Sequence, residues 1–447
     1  MKKNQELSVT ALEKGKLLLS SASISILFLL AGIAILFFCE WRGSLLATFT
    51  ARNGFLYLSP FFLIVMIFAH ADELKKYTLT DYIKKLWGNS DKERIVYLDC
   101  VRVLAVALII LSHSCSMQKD ECAEPWKIGL LTIIVSISSV ANPIYIMISG
   151  ALILSSTKEE SVGHFYYTKF IKVFVPFFII YFILMIISGT VYMQDFQSIL
   201  NGLKQILKGP LGIAPHFWFV YTILGLYLSA PFFKTMVQNM SDKQILSLFF
   251  LILAEEIIAT YLPLTGISLG VSLDFAKYAG LFLIGYIITC RSNKIMDISL
   301  MISGFLCGIF TALIVLIKEP SSDLIYNCSP VAVLFSAAII IALKRNEERL
   351  KKLPHKIITA ISINGYLILL LHWYGLFNIT FPKLGVQPLR FGCIGGIGLT
   401  LILTLIVCYI LSLVAENTII ISVKYLLTLP DKITHNCKRR NPKSDAL

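Results

Sequence analysis

Charged side chains are scarce: Asp, Glu, Lys and Arg together make 15% of the 447 residues, where soluble domains carry about 25%. That deficit excludes an ordinary water-soluble domain. Hydrophilic connectors long enough to fold as a separate catalytic domain are also missing, so any chemistry must come from the apolar segments or their rims. The ten cysteines include no CxxC pair and no zinc-like spacing, which removes support for a metal site. No stripe of arginines interleaved with aromatics occurs, and the net charge of +13 is spread over short connectors. Nucleic acid is therefore excluded as a partner, and membrane lipid is implied. Gly392, Gly395, Gly396 and Gly398 open an apolar run with no strand before it, so helix packing explains them better than a phosphate loop. No long internal repeat is visible, which weakens an inverted-repeat transporter.

Apolar residues are abundant, at 56%, and they fall in long runs. Spanning a bilayer takes about 20 residues per helix. Runs bounded by charge or turn residues lie at 17–38, 54–70, 97–115, 128–153, 170–191, 216–234, 244–262, 275–290, 298–317, 329–343, 359–380 and 392–415. The expectation is an all-α polytopic membrane bundle of about twelve helices. The first run is too long for a signal-peptide core and lacks a cleavage site before Glu40, so it reads as a retained anchor. An even count puts both termini on one side, and most Lys and Arg then fall on that side. The positive-inside rule makes it the cytoplasm of a multi-pass cell-membrane protein. Three regions are expected: 1–96 with two helices and a connector, a ten-helix domain over 97–416, and a basic tail over 417–447.

Two connectors have amphipathic faces suited to the headgroup plane: Leu79, Ile83, Leu86 and Trp87, and Ile199, Leu200, Leu203, Ile206 and Leu207. Cys115 and Cys122 flank one connector. Two free thiols are expected there, with a disulfide as the alternative on an oxidising side.

The polar residues inside the runs need a reason. Arg102 sits in the third run, at a cost of about 2.5–3.5 kcal/mol on insertion scales, so it should face protein or water. Asp99 is three residues earlier and shares its face. His113 follows Arg102 by eleven residues, close to three turns, which puts both on one face about 16 Å apart. From spacing alone, Arg102 either snorkels beside Asp99 with His113 ending the helix, or both serve a site. His216 and His372 fall at the depth of His113, and Glu255 and Glu256 lie nearby in the seventh run.

The pattern Leu98-Asp99, Arg102 and His113 resembles the opening helix of the acyltransferase-3 family of membrane acyltransferases. Further elements follow in that family's order. They are Pro143 through Ser149-Gly150, Phe165 through Lys169 to Pro176, and His216-Phe217-Trp218-Phe219-Val220-Tyr221 with Leu226-Tyr227-Leu228 and Pro231. Tyr278 through Tyr286 and Asn364-Gly365-Tyr366 through His372 complete the set. The resemblance covers about residues 95–415, ten spans, and omits the first two. Lys169 departs from it, standing where the family often has Arg, which puts bidentate phosphate contact in doubt.

The resemblance implies O-acylation, with acetyl-CoA or another acyl-CoA as donor and a sugar hydroxyl of a surface glycan or lipid-linked sugar as acceptor. His113 would be general base or transient acyl carrier, since imidazole has an unperturbed pKa of about 6.5. Arg102 would bind CoA phosphates or polarise the thioester. Lys169 and Lys172 would steer the anionic donor. Asp99, His216, Trp218, Tyr221 and His372 are candidates for the acceptor side. No fused extracytoplasmic hydrolase-like domain is visible, so direct transfer or a separate extracytoplasmic acyltransferase partner is expected. A transporter for serine or glycan on the same fold is the alternative. A second alternative is a membrane-bound O-acyltransferase that uses His372 in its apolar run.

Overall fold

The computed structural model of the protein describes residues 17–34, 54–74, 81, 84, 94–157, 160–193, 195–267, 277–317, 322–326 and 328–440. Every regular element among them is helical. The expected amphipathic face at Leu79, Ile83, Leu86 and Trp87 lies outside the described residues. Among those described, nine helices are long and apolar enough to cross a membrane. In chain order these and their neighbours are α1 Leu17–Ala34, α2 Gly54–Leu74, α3 Val96–Lys119, α4 Pro125–Ser138 and α5 Ala141–Leu154. There follow α6 Val162–Ile187, α7 Phe196–Lys208, α8 Pro215–Gln238, α9 Asp242–Tyr261, α10 Lys277–Tyr286 and α11 Lys294–Ile317. The last are α12 Pro330–Arg345, α13 His355–Thr380 and α14 Cys393–Pro430.

Three of the twelve expected runs are helices outside those nine: α2, α10 and α12. α12 has 16 residues, about 24 Å at ~1.5 Å per residue, which falls short of a ~30 Å hydrocarbon core. α10 continues through a π-helical turn, Ile287–Arg291, and is buried on all sides from Gly280 to Ile288. A helix apolar all round belongs inside a bundle, and that is why its run carries no alternation between lipid-facing and core-facing residues.

Helix ends follow local chemistry. Ser241 caps α9 and Gln244 returns a bond to the Ser241 backbone, a reciprocal capping box. Ser329 caps α12 by accepting from Ala332 N at 3.3 Å, with Pro330 at the first helical position. Asp195 caps α7, and Gly209 ends it at φ 127°, a conformation suited to glycine.

The described residues fall into two compact units. One is drawn from Ser90–Tyr166 and His216–Tyr409, and the other from Met1–Asn89, Tyr167–Pro215 and Ile410–Leu447. In the first unit, α5 and α10 touch backbone to backbone through reciprocal glycines. A Cβ on Gly150 would lie 1.8 Å from the Phe282 carbonyl oxygen, and one on Gly285 would lie 1.9 Å from that of Met147. α11 and α12 meet in the same way at Gly304, which faces the Leu334 carbonyl and Ala338. Small residues at such crossings let helices approach when no water drives them together.

In the second unit, His70 of α2 is buried and its Nε2 lies 3.0 Å from the Asn417 carbonyl of α14, with Phe28 of α1 stacked on the ring. The amphipathic face expected on α7 divides. Ile206 and Gly202 turn inward, while Phe196, Leu203 and Leu207 are exposed beside a separate polar row of Gln197, Asn201, Lys204 and Lys208. That division is the geometry of a helix lying in a headgroup plane with one side against protein.

Candidate active site

α3 carries two polar poles. Its Arg102 and His113 are three turns apart, about 16 Å along the axis, and all the contacts described next lie within one unit.

At the first pole the organising group is a carboxylate. Asp99 is 3% exposed, and a buried charge of that kind needs partners. Arg94, just before α3, supplies a two-point fork: Nε donates to Asp99 Oδ2 at 2.7 Å and Nη2 to Oδ1 at 2.6 Å. Ser362 of α13 donates to Oδ1 at 2.6 Å. Arg102 reaches the same oxygen through Nη1 alone, at 3.2 Å, and that nitrogen also lies 3.4 Å from Ser362 Oγ. Planar arginine forks match carboxylates in bidentate fashion, and here Arg94 takes that arrangement. The Asp99 hydrogen bonds raise the Arg94 pKa above its ordinary value. Among the described residues the arginine inside the span is therefore tethered by one nitrogen, with most of its donors left for something else. Tyr145 of α5 and Tyr227 of α8 lie near Arg102.

Between the poles α3 presents Val106, Ile109 and Ile110, all buried. Beside them the Tyr145 hydroxyl is buried with no hydrogen-bond partner among the described residues.

At the second pole three histidines from three helices meet. The rings of His113 (α3) and His372 (α13) stack at 5.3 Å, and those of His372 and His216 (α8) meet edge-on at 4.5 Å. Trp373 stands edge-on to His113 at 5.1 Å and parallel to His216 at 6.0 Å. His216 and His372 are buried, while His113 and Trp373 are partly exposed. Each buried ring is anchored to α13 backbone: His216 Nε2 to the Leu370 carbonyl at 3.2 Å, and His372 Nδ1 to the Leu369 carbonyl at 2.6 Å. Directly after Trp373 and Tyr374 the helix widens into a π-helical turn, Gly375–Thr380. Such turns concentrate at functional sites. Among the described residues no group of three or more His, Cys, Asp or Glu is arranged to hold a metal ion.

The other candidates lie elsewhere. Trp218, at the start of the α8 helix proper, packs on Tyr278 at 5.8 Å and on Phe219 at 5.9 Å. Tyr221 is partly exposed one turn after Phe217. Lys169 and Lys172 flank and enter a π-helical turn of α6, Phe170–Phe174, and belong to the other unit. Cys115 and Cys122 are free thiols. Arg94, Ser362 and Trp373 join these poles without being expected from the sequence. Arg94 had a signal, five residues before a carboxylate at a helix start. Ser362 had none, because its contact with Asp99 spans most of the chain.

A family model described as an acyltransferase domain, acyltransferase-3, matches residues 95–413. No curated protein and no solved structure matches the chain.

Proposed function

The chain belongs to the acyltransferase-3 family and is a membrane acyltransferase; from that premise we propose that it moves an acetyl group from acetyl-CoA to a sugar hydroxyl of a surface or lipid-linked glycan. The observation that carries this reading is the gathering of three imidazoles at one end of α3, with a loosely tethered arginine at the other.

Ester formation joins the hydroxyl oxygen to the acyl carbon and breaks the carbon–sulfur bond. The hydroxyl loses a proton and the departing thiolate gains one. A hydroxyl is a poor nucleophile until a base takes its proton. In this reading His113 does so, since it is the partly exposed member of the histidine group. The free donors of Arg102 suit an anion, either a phosphate of the donor or the oxygen that becomes negative as the thioester is attacked. Carrying the two chemistries on one helix fixes their separation, and a long thin acyl carrier suits that spacing. Donor entry at the arginine end, on the cytoplasmic side, and the acceptor at the histidine end complete the proposal.

The test is His113→Ala in purified protein reconstituted with radiolabelled acetyl-CoA and cell-surface glycan. Acetyl transfer should fall to background while the variant inserts and elutes as the parent does. Full transfer by that variant would remove His113 from the chemistry.

A further inference from the structure

The connector from α12 to α13 is fastened at both ends to the arginine pole of α3. Its one-turn helix, Glu347–Leu350, presents the Glu347 carboxylate to the first turn of α3, where Val96 N donates to Oε1 at 3.0 Å, and Leu350 packs on the apolar core. Beyond the connector α13 begins at His355, and seven residues later Ser362 donates to Asp99, about 10 Å along the axis. Between these fixings the chain is exposed and basic. Residues 345–356 hold five Lys and Arg against two Glu. Arg345 is paired with Asp297 and Lys351 with Glu348. Arg349, Lys352 and Lys356 are exposed and have no carboxylate partner among the described residues.

Basic connectors orient a membrane protein whatever else they do, and the fixing at Val96 is what sets this one apart. An acyl donor of the coenzyme A class carries a diphosphate and a ribose phosphate at the end opposite its thioester. One guanidinium, already bonded to Asp99, cannot neutralise that many charges inside an apolar bundle, and burying unpaired charge is costly. The phosphates are better held by several cations at an exposed rim, with the thin arm alone entering the bundle. Arg94 and Arg102 keep 28% and 25% of their side chains accessible, so the pole itself has surface for such an arm. We propose that the α12–α13 connector is the docking surface for the phosphorylated nucleotide of the acyl donor, contacted by Arg349, Lys352 and Lys356, leaving Arg102 to the thioester end. The proposal rests on the acyl-transfer reading and divides its donor site in two.

Full-length protein in phosphatidylcholine nanodiscs is assayed for transfer to cell-surface glycan from acetyl-CoA and from S-acetylpantetheine, which keeps the thioester arm and lacks every phosphate. The triple variant Arg349→Gln, Lys352→Gln, Lys356→Gln should raise KM for acetyl-CoA roughly tenfold or more, at about two- to fivefold per exposed charge pair. Its kcat should hold, and KM for S-acetylpantetheine should be equal in the two proteins. Lys204→Gln with Lys208→Gln on α7 removes charge elsewhere and should leave both KM values alone. An unchanged KM for acetyl-CoA overturns the proposal, and so does an equal rise for both donors. Calorimetric binding of adenosine 3′,5′-bisphosphate supplies a readout without turnover: wild type should bind it, and the triple variant roughly tenfold more weakly. Equal binding by both, or none by wild type, ends the docking surface. A difference between the proteins that appears only in nanodiscs containing phosphatidylglycerol assigns the patch to lipid headgroups, which also overturns the proposal. If wild type transfers acetyl from neither donor while the difference in bisphosphate binding holds, the acyl-transfer reading fails and the nucleotide surface stands.

Discussion

Arg102 and Arg94 divide one task between them. A carboxylate as buried as Asp99 draws the nearest guanidinium, and the Arg94 fork spares Arg102 from that role. Two predictions follow from that division. Arg102→Lys should lose acetyl transfer although the charge remains, because an ammonium lacks the planar fork; normal acetyl-CoA dependence in that variant would take Arg102 out of the donor site. Arg94→Ala leaves Asp99 to recruit Arg102 more fully, so KM for acetyl-CoA should rise tenfold or more, given ~1.5–3 kcal/mol for a hydrogen bond to a charged group. Adding Asp99→Asn should restore part of that loss, since no carboxylate is left to compete. A double variant no better than Arg94→Ala would mean that Arg94 acts in some other way. The spacing of Arg102 and His113 was readable in the sequence because one helix fixes it. The company each keeps was not, because Ser362, His216 and His372 arrive from other helices.

At the scale of elements, glycine decides which helices touch. Gly285→Ala drives a methyl group into the Met147 carbonyl of α5, where neither backbone can yield. Overpacking costs about 1–3 kcal/mol even in side-chain cores, so the variant should lose about 1–3 °C of Tm or fail to purify as a single species. Gly225→Ala is the matched control: a Cβ there meets nothing within 4 Å, and Tm should hold or rise, because alanine favours a helix by up to ~1 kcal/mol. A thermal scan of both in detergent decides the matter. The glycines near α10 were visible in the sequence as parts of a family-like pattern, and the reciprocal contact now supplies their physical reason. Periodicity could not show that α10 is buried all round, since a helix apolar on every face reads the same against lipid or protein.

For the whole molecule, hydropathy and family agree on a membrane acyltransferase, and the proposal adds a direction of transfer. Mass spectrometry of surface glycans from cells with and without the protein should show ester-linked acetyl groups lost in its absence. In sealed vesicles of defined orientation, acetyl-CoA added on the face nearer the Arg102 end of α3 should acetylate acceptor held on the other side. Transfer only when donor and acceptor share one side would refute the proposed path across the membrane. Uptake of a solute without acetyl-CoA would point to a transporter instead.

Membrane class, helical architecture, family and the placement of Arg102 and His113 on one face were all legible along the chain. Each of these depends on composition, run length or spacing along a single helix, which are local quantities. Tertiary structure alone decided that His113, His216 and His372 meet, that Arg94 rather than Arg102 grips Asp99 with both nitrogens, and that α10 is enclosed. Those facts depend on which helices are neighbours, and neighbours in an apolar bundle are chosen by close packing at small residues such as Gly150 and Gly285. Hydropathy is the same for every possible arrangement of the helices and so carries no record of that choice.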